Sequence, residues 1–121
     1  MQETLDLAKD LNCEFANFYS AMAYPGSPLY ADALNRGREL PQNWQQFSQH
    51  SYDSLPLAND HCSSADILEF RDKSFNTYFS ANSYLNMVRD KFGQKVVNHI
   101  VKMAEIPLKR KIVEEQKARN T

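Results

Sequence analysis

The spacing of hydrophobic and polar positions predicts a chain built mainly from amphipathic helices. Leu5, Ala8 and Leu11 recur at helical spacing, so residues 3–11 are predicted to be a helix, which Asn12 can end in the left-handed cap position. This helix begins almost at the first residue, as it would in a chain cut within a domain. We therefore expect the sequence to be a piece of something larger.

Residues 13–20 are predicted to form one short strand. Their side chains alternate between two faces, and neither face is uniformly polar, which is typical of a parallel strand covered on both sides. The rest of the chain offers no second strand, so the backbone N–H and C=O groups of this stretch need a partner. We expect either a homo-oligomer through residues 13–20 or refolding of the stretch into a loop. One face carries Cys13, Phe15, Asn17 and Tyr19, and the other carries Glu14, Ala16, Phe18 and Ser20.

A turn with a clear physical basis follows at Tyr24–Ser27. Pro25 presets its own φ, and Gly26 supplies the positive φ that a type II turn needs next. Ser27 can cap the following helix, which is predicted over residues 28–36. This turn lies at the carboxyl end of the predicted strand, where α/β folds keep their ligand sites. The free N–H groups of the helix can bind an anion, but spacing alone favours a simple capping device.

The second half of the chain is predicted to be helical after a long loop. Residues 38–62 are rich in Gln, Asn, Ser and Pro, lack periodicity and read as an aromatic, polar loop. Ser63 and Asp66 resemble a capping box that opens a helix of about 17 residues. The fold class is therefore mainly α with one short strand. Further helices are predicted over 83–92, 94–106 and 108–119, and the chain divides into a helix-strand-turn-helix unit (1–37), the loop (38–62) and a helical tail region (63–121).

Charge is uneven along the chain, although the net charge is only −1. The first 60 residues carry three basic and eight acidic side chains, and the remaining 61 carry eleven basic and seven acidic ones. The run Lys109–Lys111 is too short and too close to acidic residues for a nucleic-acid site, so an exposed helix face is expected. Two cysteines, no signal peptide and no apolar stretch of membrane-spanning length favour a cytoplasmic protein.

No recognised pattern of catalytic or metal-ligating residues is present. The cysteines and histidines have no zinc spacing, and the chain lacks a nucleophile elbow and a glycine-rich nucleotide loop. We predict no catalytic residue and no metal site within this segment, and its cofactor-binding residues stay unassigned. His50 and Tyr52, in the aromatic loop, are candidates for the rim of a site.

Several short motifs, taken in order, resemble one enzyme family. They are Asn17-Phe18-Tyr19, then Ala23-Tyr24-Pro25-Gly26-Ser27-Pro28-Leu29-Tyr30, Gln49-His50-Ser51-Tyr52-Asp53, Phe70-Arg71-Asp72 with Phe75, Tyr78-Phe79 and Lys91-Phe92-Gly93. Together they resemble the C-terminal part of radical S-adenosylmethionine enzymes of the cobalamin-binding subgroup, which includes the anaerobic magnesium-protoporphyrin ester cyclase. The resemblance covers nearly the whole chain.

The resemblance implies a C-terminal fragment of a (β/α) barrel plus a helical tail, with the rest of the parent polypeptide as its partner. The parent enzyme would be an iron–sulfur oxidoreductase or methyltransferase that uses S-adenosylmethionine, a [4Fe–4S] cluster and, in this subgroup, cobalamin. The Cys-x-x-x-Cys-x-x-Cys loop that holds the cluster is missing, so the segment should be inactive alone. Residues expected near substrate or S-adenosylmethionine are Asn17, Tyr19, Tyr24, Pro25, Gly26, Ser27, His50 and Tyr52.

The alternative from another class is a stand-alone helical module for protein–protein interaction, without enzymatic activity. Such a module would use its basic C-terminal helices to dock a partner. The reading frame separates the two hypotheses: an upstream continuation with the cysteine loop favours the enzyme, and a native start at Met1 favours the module.

Overall fold

The computed structural model describes all 121 residues, and it contains seven helices and no β-strand. The prediction of a mainly α protein is confirmed. None of the helices has both the length and the apolar composition needed to cross a membrane. The helices are α1 (Gln2–Leu11), α2 (Pro28–Asn35), α3 (Trp44–Phe47), α4 (Ser64–Phe79), α5 (Asn82–Phe92), α6 (Gln94–Glu105) and α7 (Lys111–Arg119).

The ends of the helices are set by local capping chemistry. Asn12 adopts the left-handed conformation (φ 47°, ψ 48°) that ends α1, as predicted. At the start of α4, the Asp66 backbone N–H donates to Ser63 Oγ at 3.1 Å, and the Ser63 N–H donates to Asp66 Oδ2 at 2.9 Å. These reciprocal bonds are the predicted capping box. Gly93 has a φ of 88°, so it ends α5 in a conformation that other residues rarely adopt.

One compact unit comprises Met1–Phe18 and Asp72–Pro107. Its core is aromatic, and the ring of Tyr84 lies 5.0 Å from that of Tyr78 and 5.2 Å from that of Phe79, between ring centroids. Helices α5 and α6 pack against each other, and Val97 and Ile100 of α6 are buried. The buried members of this core are Tyr78, Phe79, Tyr84, Val88, Val97 and Ile100.

The other compact unit comprises Tyr19–Arg71 and Leu108–Thr121. Its small core consists of Ala23, Ala33 and Leu40, with Tyr30 and Leu57 packed against it. The unit also contains the loop predicted over residues 38–62. That loop is less irregular than predicted because it includes α3, a single turn.

Helix α7 is fastened to the start of α4 by a side-chain amide. Gln116 Nε2 donates to Asp66 Oδ1 at 2.8 Å, and Ser63 Oγ donates to Gln116 Oε1 at 2.8 Å. The same carboxylate that completes the capping box therefore also binds α7. Lys117 adds an exposed ion pair with Glu69 at 2.7 Å.

The strand predicted over residues 13–20 is not a β-strand in the structure. Its backbone is outside every helix and strand, and no other segment forms a ladder of hydrogen bonds with it. A strand exists only when a neighbour supplies those bonds, and this chain supplies none. The stretch is an extended segment, and we use that name for residues 13–23.

Candidate functional site

The extended segment retains the alternation of a strand. Residues 13, 15, 17, 19 and 21 are exposed, and the residues between them are half-buried or buried. The exposed side includes two large aromatic side chains, Phe15 at 85% and Tyr19 at 65% exposure. No charged residue belongs to this side, since its remaining members are Cys13, Asn17 and Ala21. An exposed, neutral and aromatic strand face is unusual on a protein surface.

Two buried tyrosines hold the beginning of the extended segment. The Tyr78 hydroxyl donates to the backbone C=O of Cys13, and the Tyr84 hydroxyl donates to the C=O of Glu14 at 3.1 Å. Burial raises the pKa of both phenols. Both hydroxyls therefore stay protonated and able to donate at neutral pH.

The end of the extended segment is held by the loop that follows α3. The Ser20 N–H donates to Gln49 Oε1 at 2.8 Å, and Gln49 Nε2 donates to the Ser20 C=O at 3.0 Å. The Leu57 N–H donates to the C=O of Ala21 at 2.9 Å. Between the two held ends, the backbones of Phe15, Ala16, Asn17 and Tyr19 make no hydrogen bond.

The turn after the extended segment has the predicted geometry. The Ser27 N–H donates to the Tyr24 C=O at 3.1 Å, and Gly26 has a φ of 86°. Ser27 Oγ accepts the Tyr30 N–H at 3.1 Å and donates to the Tyr24 C=O at 2.7 Å. Ser27 is thus the N-cap of α2, in keeping with the capping device that spacing favoured.

An aromatic group lies beside this turn. The ring of Tyr24 stacks on that of Phe47, with centroids 5.8 Å apart, and Phe47 lies 6.1 Å from Trp44. Trp44 is 83% exposed. Helix α3 supplies Trp44 and Phe47, and it begins where Asn43 Oδ1 accepts the Gln46 N–H at 3.1 Å. Asn43 is therefore the N-cap of a short helix within the stretch that was predicted to be a loop.

Arg110 is the residue that sequence reasoning placed wrongly. The run Lys109–Lys111 was expected to lie on an exposed helix face, but Arg110 is only 2% exposed and precedes α7. Its Nη1 donates to the Ser51 C=O at 2.8 Å, and its Nη2 donates to the Gln49 C=O at 2.9 Å. Lys109 and Lys111 are exposed, as expected.

Tyr52 is also bound by the residues at the start of α7. Its hydroxyl donates to Glu114 Oε2 at 2.9 Å, and its C=O accepts the Lys111 N–H at 2.9 Å. The Glu114 carboxylate raises the pKa of the Tyr52 phenol, chiefly through this hydrogen bond. His50 lies between these anchored residues with an exposed side chain.

The structure thus brings together two of the predicted groups. The turn at Tyr24–Ser27 and the loop containing His50 and Tyr52 are connected through the Tyr24–Phe47 stack and the Ser20–Gln49 pair. Asn17 and Tyr19 are exposed on the extended segment before that point. Two roles could not be found from the sequence. The Gln49 side chain binds the backbone of Ser20, and the Arg110 guanidinium binds the backbone of Gln49 and Ser51.

Metal ligands are not assembled in this chain. No group of three or more His, Cys, Asp or Glu side chains is placed to hold a metal ion, and Cys13 and Cys62 are free thiols. No protein family, no curated protein and no solved structure matches the chain.

Proposed function

We propose that this chain is the C-terminal segment of a radical S-adenosylmethionine enzyme of the cobalamin-binding subgroup, an iron–sulfur oxidoreductase or methyltransferase. In that enzyme, residues 13–20 act as a barrel strand, and the turn and loop beyond them help to wall the site for substrate and cofactor. The observation that carries the proposal is the extended segment, which has the exposure pattern of a strand but no strand beside it.

The free backbone groups of the extended segment support this proposal. An unpaired strand edge next to exposed aromatic side chains invites pairing with another strand. In a (β/α) barrel, neighbouring strands would pair with the backbone at Phe15–Asn17, and the barrel interior would take up one face of side chains. Phe15 and Tyr19 are aromatic and Asn17 is uncharged, which suits such an interior.

The position of the turn supports the second part of the proposal. Catalytic residues of barrel enzymes lie at the carboxyl ends of strands and on the loops that follow. In the proposed barrel, Tyr24–Ser27 would occupy that place, and the loop with His50 and Tyr52 follows Phe47, whose ring stacks on that of Tyr24. We therefore propose Asn17 and Tyr19 as contacts of substrate or the adenosyl group, and the turn and loop as the mouth and rim.

The residues of this chain do not fit an iron–sulfur cluster of their own. The cysteine loop of the family supplies three thiolates, whereas this chain has two cysteines that belong to no group of metal ligands. The cluster would belong to the rest of the parent polypeptide. This segment would bind, orient and shield the reacting molecules.

The test starts from the reading frame. We expect an upstream continuation containing Cys-x-x-x-Cys-x-x-Cys, and the reconstituted full-length protein should convert S-adenosylmethionine to 5′-deoxyadenosine under reducing conditions. Replacing Asn17 and Tyr19 by Ala should reduce turnover while leaving the cluster absorbance unchanged. Phe92→Ala, a change at an exposed aromatic residue of α5, is the matched control and should retain activity.

Two results would count against the proposal. If the Asn17→Ala, Tyr19→Ala protein keeps normal turnover and cofactor binding, the site assignment is wrong. If the native chain starts at Met1 and no upstream segment exists, the helical interaction module replaces the enzyme hypothesis.

A further inference from the structure

We infer that Arg110 is a positioning residue, which fixes the carboxyl end of the extended segment through Gln49. No direct bond joins Arg110 to Ser20 in this network. The connection runs from the guanidinium to the backbone of Gln49, and from the Gln49 side chain to the backbone of Ser20.

Arg110 contacts the loop after α3 with both ends of its guanidinium group. Its two terminal nitrogens bind two carbonyls that lie two residues apart, those of Gln49 and Ser51. A planar guanidinium can donate in two directions at once, whereas the ammonium of a lysine is a point charge without that fork. The charge is buried, so these hydrogen bonds are needed to offset its desolvation.

The next residues along the chain extend the same contact. The Lys111 N–H binds the Tyr52 C=O, and Glu114 accepts the Tyr52 hydroxyl. Three of the four carbonyls from Gln49 to Tyr52 therefore accept hydrogen bonds from Arg110 or Lys111. The backbone of this loop is held by the start of α7, more than fifty residues later in the sequence.

Gln49 connects this loop to the extended segment. Because Arg110 binds the Gln49 C=O, the backbone position from which the Gln49 side chain extends is fixed. Its carboxamide then pairs with both the N–H and the C=O of Ser20, as a neighbouring strand would. A loop free to move would carry the carboxamide away from Ser20. Arg110 thereby fixes the extended segment at Ser20, next to the hydrogen bond from Leu57 to Ala21, and its importance for catalysis rests on the proposed function.

Amide hydrogen exchange, measured residue by residue by NMR on the chain described here, tests the inference. In Arg110→Met the Ser20 amide should exchange about tenfold faster or more, because a buried hydrogen bond is lost. The Val88 amide, in the middle of α5, should keep its wild-type rate. Lys109→Met removes a neighbouring exposed charge and should leave the Ser20 rate unchanged.

The conservative variant separates positioning from general stability. Arg110→Lys keeps the charge but lacks the fork, so it should also speed Ser20 exchange while the chain stays folded by circular dichroism. A wild-type Ser20 rate in a folded Arg110→Met or Arg110→Lys overturns the inference. If both variants fail to fold while Lys109→Met folds, Arg110 supports the whole fold rather than the loop, and the inference is again wrong.

These results are independent of the proposed function. Faster Ser20 exchange would support the positioning role even if the reading frame showed no upstream cysteine loop. Conversely, the full-length protein could prove to be a radical enzyme while the Ser20 exchange rate is the same in wild type and in Arg110→Met. The proposed function would then stand, and the positioning role of Arg110 would be wrong.

Discussion

The side chain of Gln49 pairs with both backbone groups of Ser20, at 2.8 Å to its N–H and 3.0 Å to its C=O. A single carboxamide thus takes the place of a neighbouring strand at one residue. This contact closes the edge of the extended segment at Ser20, while the backbones of Phe15 and Asn17 stay open. The open part is where another strand can pair, whereas Gln49 already occupies the edge at Ser20.

Gln49→Ala should lower the free energy of unfolding by about 1–3 kcal/mol, because it leaves a buried N–H and a buried C=O of Ser20 without partners. Urea denaturation followed by circular dichroism measures the change. Gln45→Ala, at an exposed position of α3, is the control and should cost much less. Equal midpoints for the two variants would mean that the carboxamide contributes little to stability.

Tyr84→Phe should destabilise the protein by about 1 kcal/mol, since it removes one hydrogen bond to the Glu14 carbonyl and retains the packing of the ring. Tyr30→Phe is the matched control, because the Tyr30 hydroxyl makes no hydrogen bond in the structure. Thermal unfolding of both variants beside wild type gives the comparison. A Tyr30→Phe loss as large as that of Tyr84→Phe would contradict the assigned role of the hydroxyl.

The same tyrosines predict a loss of stability in alkali. Burial raises the pKa of Tyr78 and Tyr84 in the folded state above the ordinary value of 10.0. Their contribution is therefore fully present below pH 10 and is lost as pH rises through the raised folded-state pKa values. Urea midpoints measured from about 2 units below pH 10 to about 1.5 units above it should fall at the upper end. Tyr84→Phe should show a shallower fall, and an identical pH dependence would argue against the buried phenol.

The helix boundaries could be predicted from sequence because caps are local. Asn12 ends α1, and Ser63 and Asp66 open α4 with bonds between residues three apart. The two alternating faces of the extended segment were also predicted, but the expectation that both are covered was wrong, because residues 13, 15, 17, 19 and 21 are exposed. Its strand was not formed, because a strand depends on a partner that no local pattern specifies.

The anchor at Arg110 could not be predicted for the same reason. Its partners lie 59 and 61 residues away, at Ser51 and Gln49. The sequence around Arg110, with a lysine on either side, would be the same whether the arginine side chain were exposed to solvent or buried. Only the tertiary fold distinguishes Arg110 from Lys109.

Gln116→Ala should weaken the attachment of α7 and change the response to acid. The Gln116 amide is the chief cause of the lowered pKa of Asp66, and the Ser63 hydrogen bonds add to it. The stability that Asp66 contributes is present above its ordinary pKa of 3.8 and is lost as pH falls through the lowered value. Gln116→Ala should therefore lower the urea midpoint at pH 7 and flatten its decline below pH 4, relative to the control Asn120→Ala. An unchanged acid profile would show that Gln116 does not act on Asp66.

The open edge of the extended segment predicts concentration-dependent self-association of this chain. Phe15 is 85% exposed, and the backbone groups of Phe15, Ala16 and Asn17 make no hydrogen bond, so two copies can pair these edges and bury their aromatic side chains. Sedimentation velocity over a range of concentrations should show a dimer that Phe15→Lys abolishes, because a charge on this face resists burial. Phe92→Lys places the same charge at another exposed phenylalanine and should leave the dimer intact. A wild-type chain that stays monomeric at millimolar concentration, or a Phe15→Lys chain that still dimerises, would show that this edge does not pair with itself.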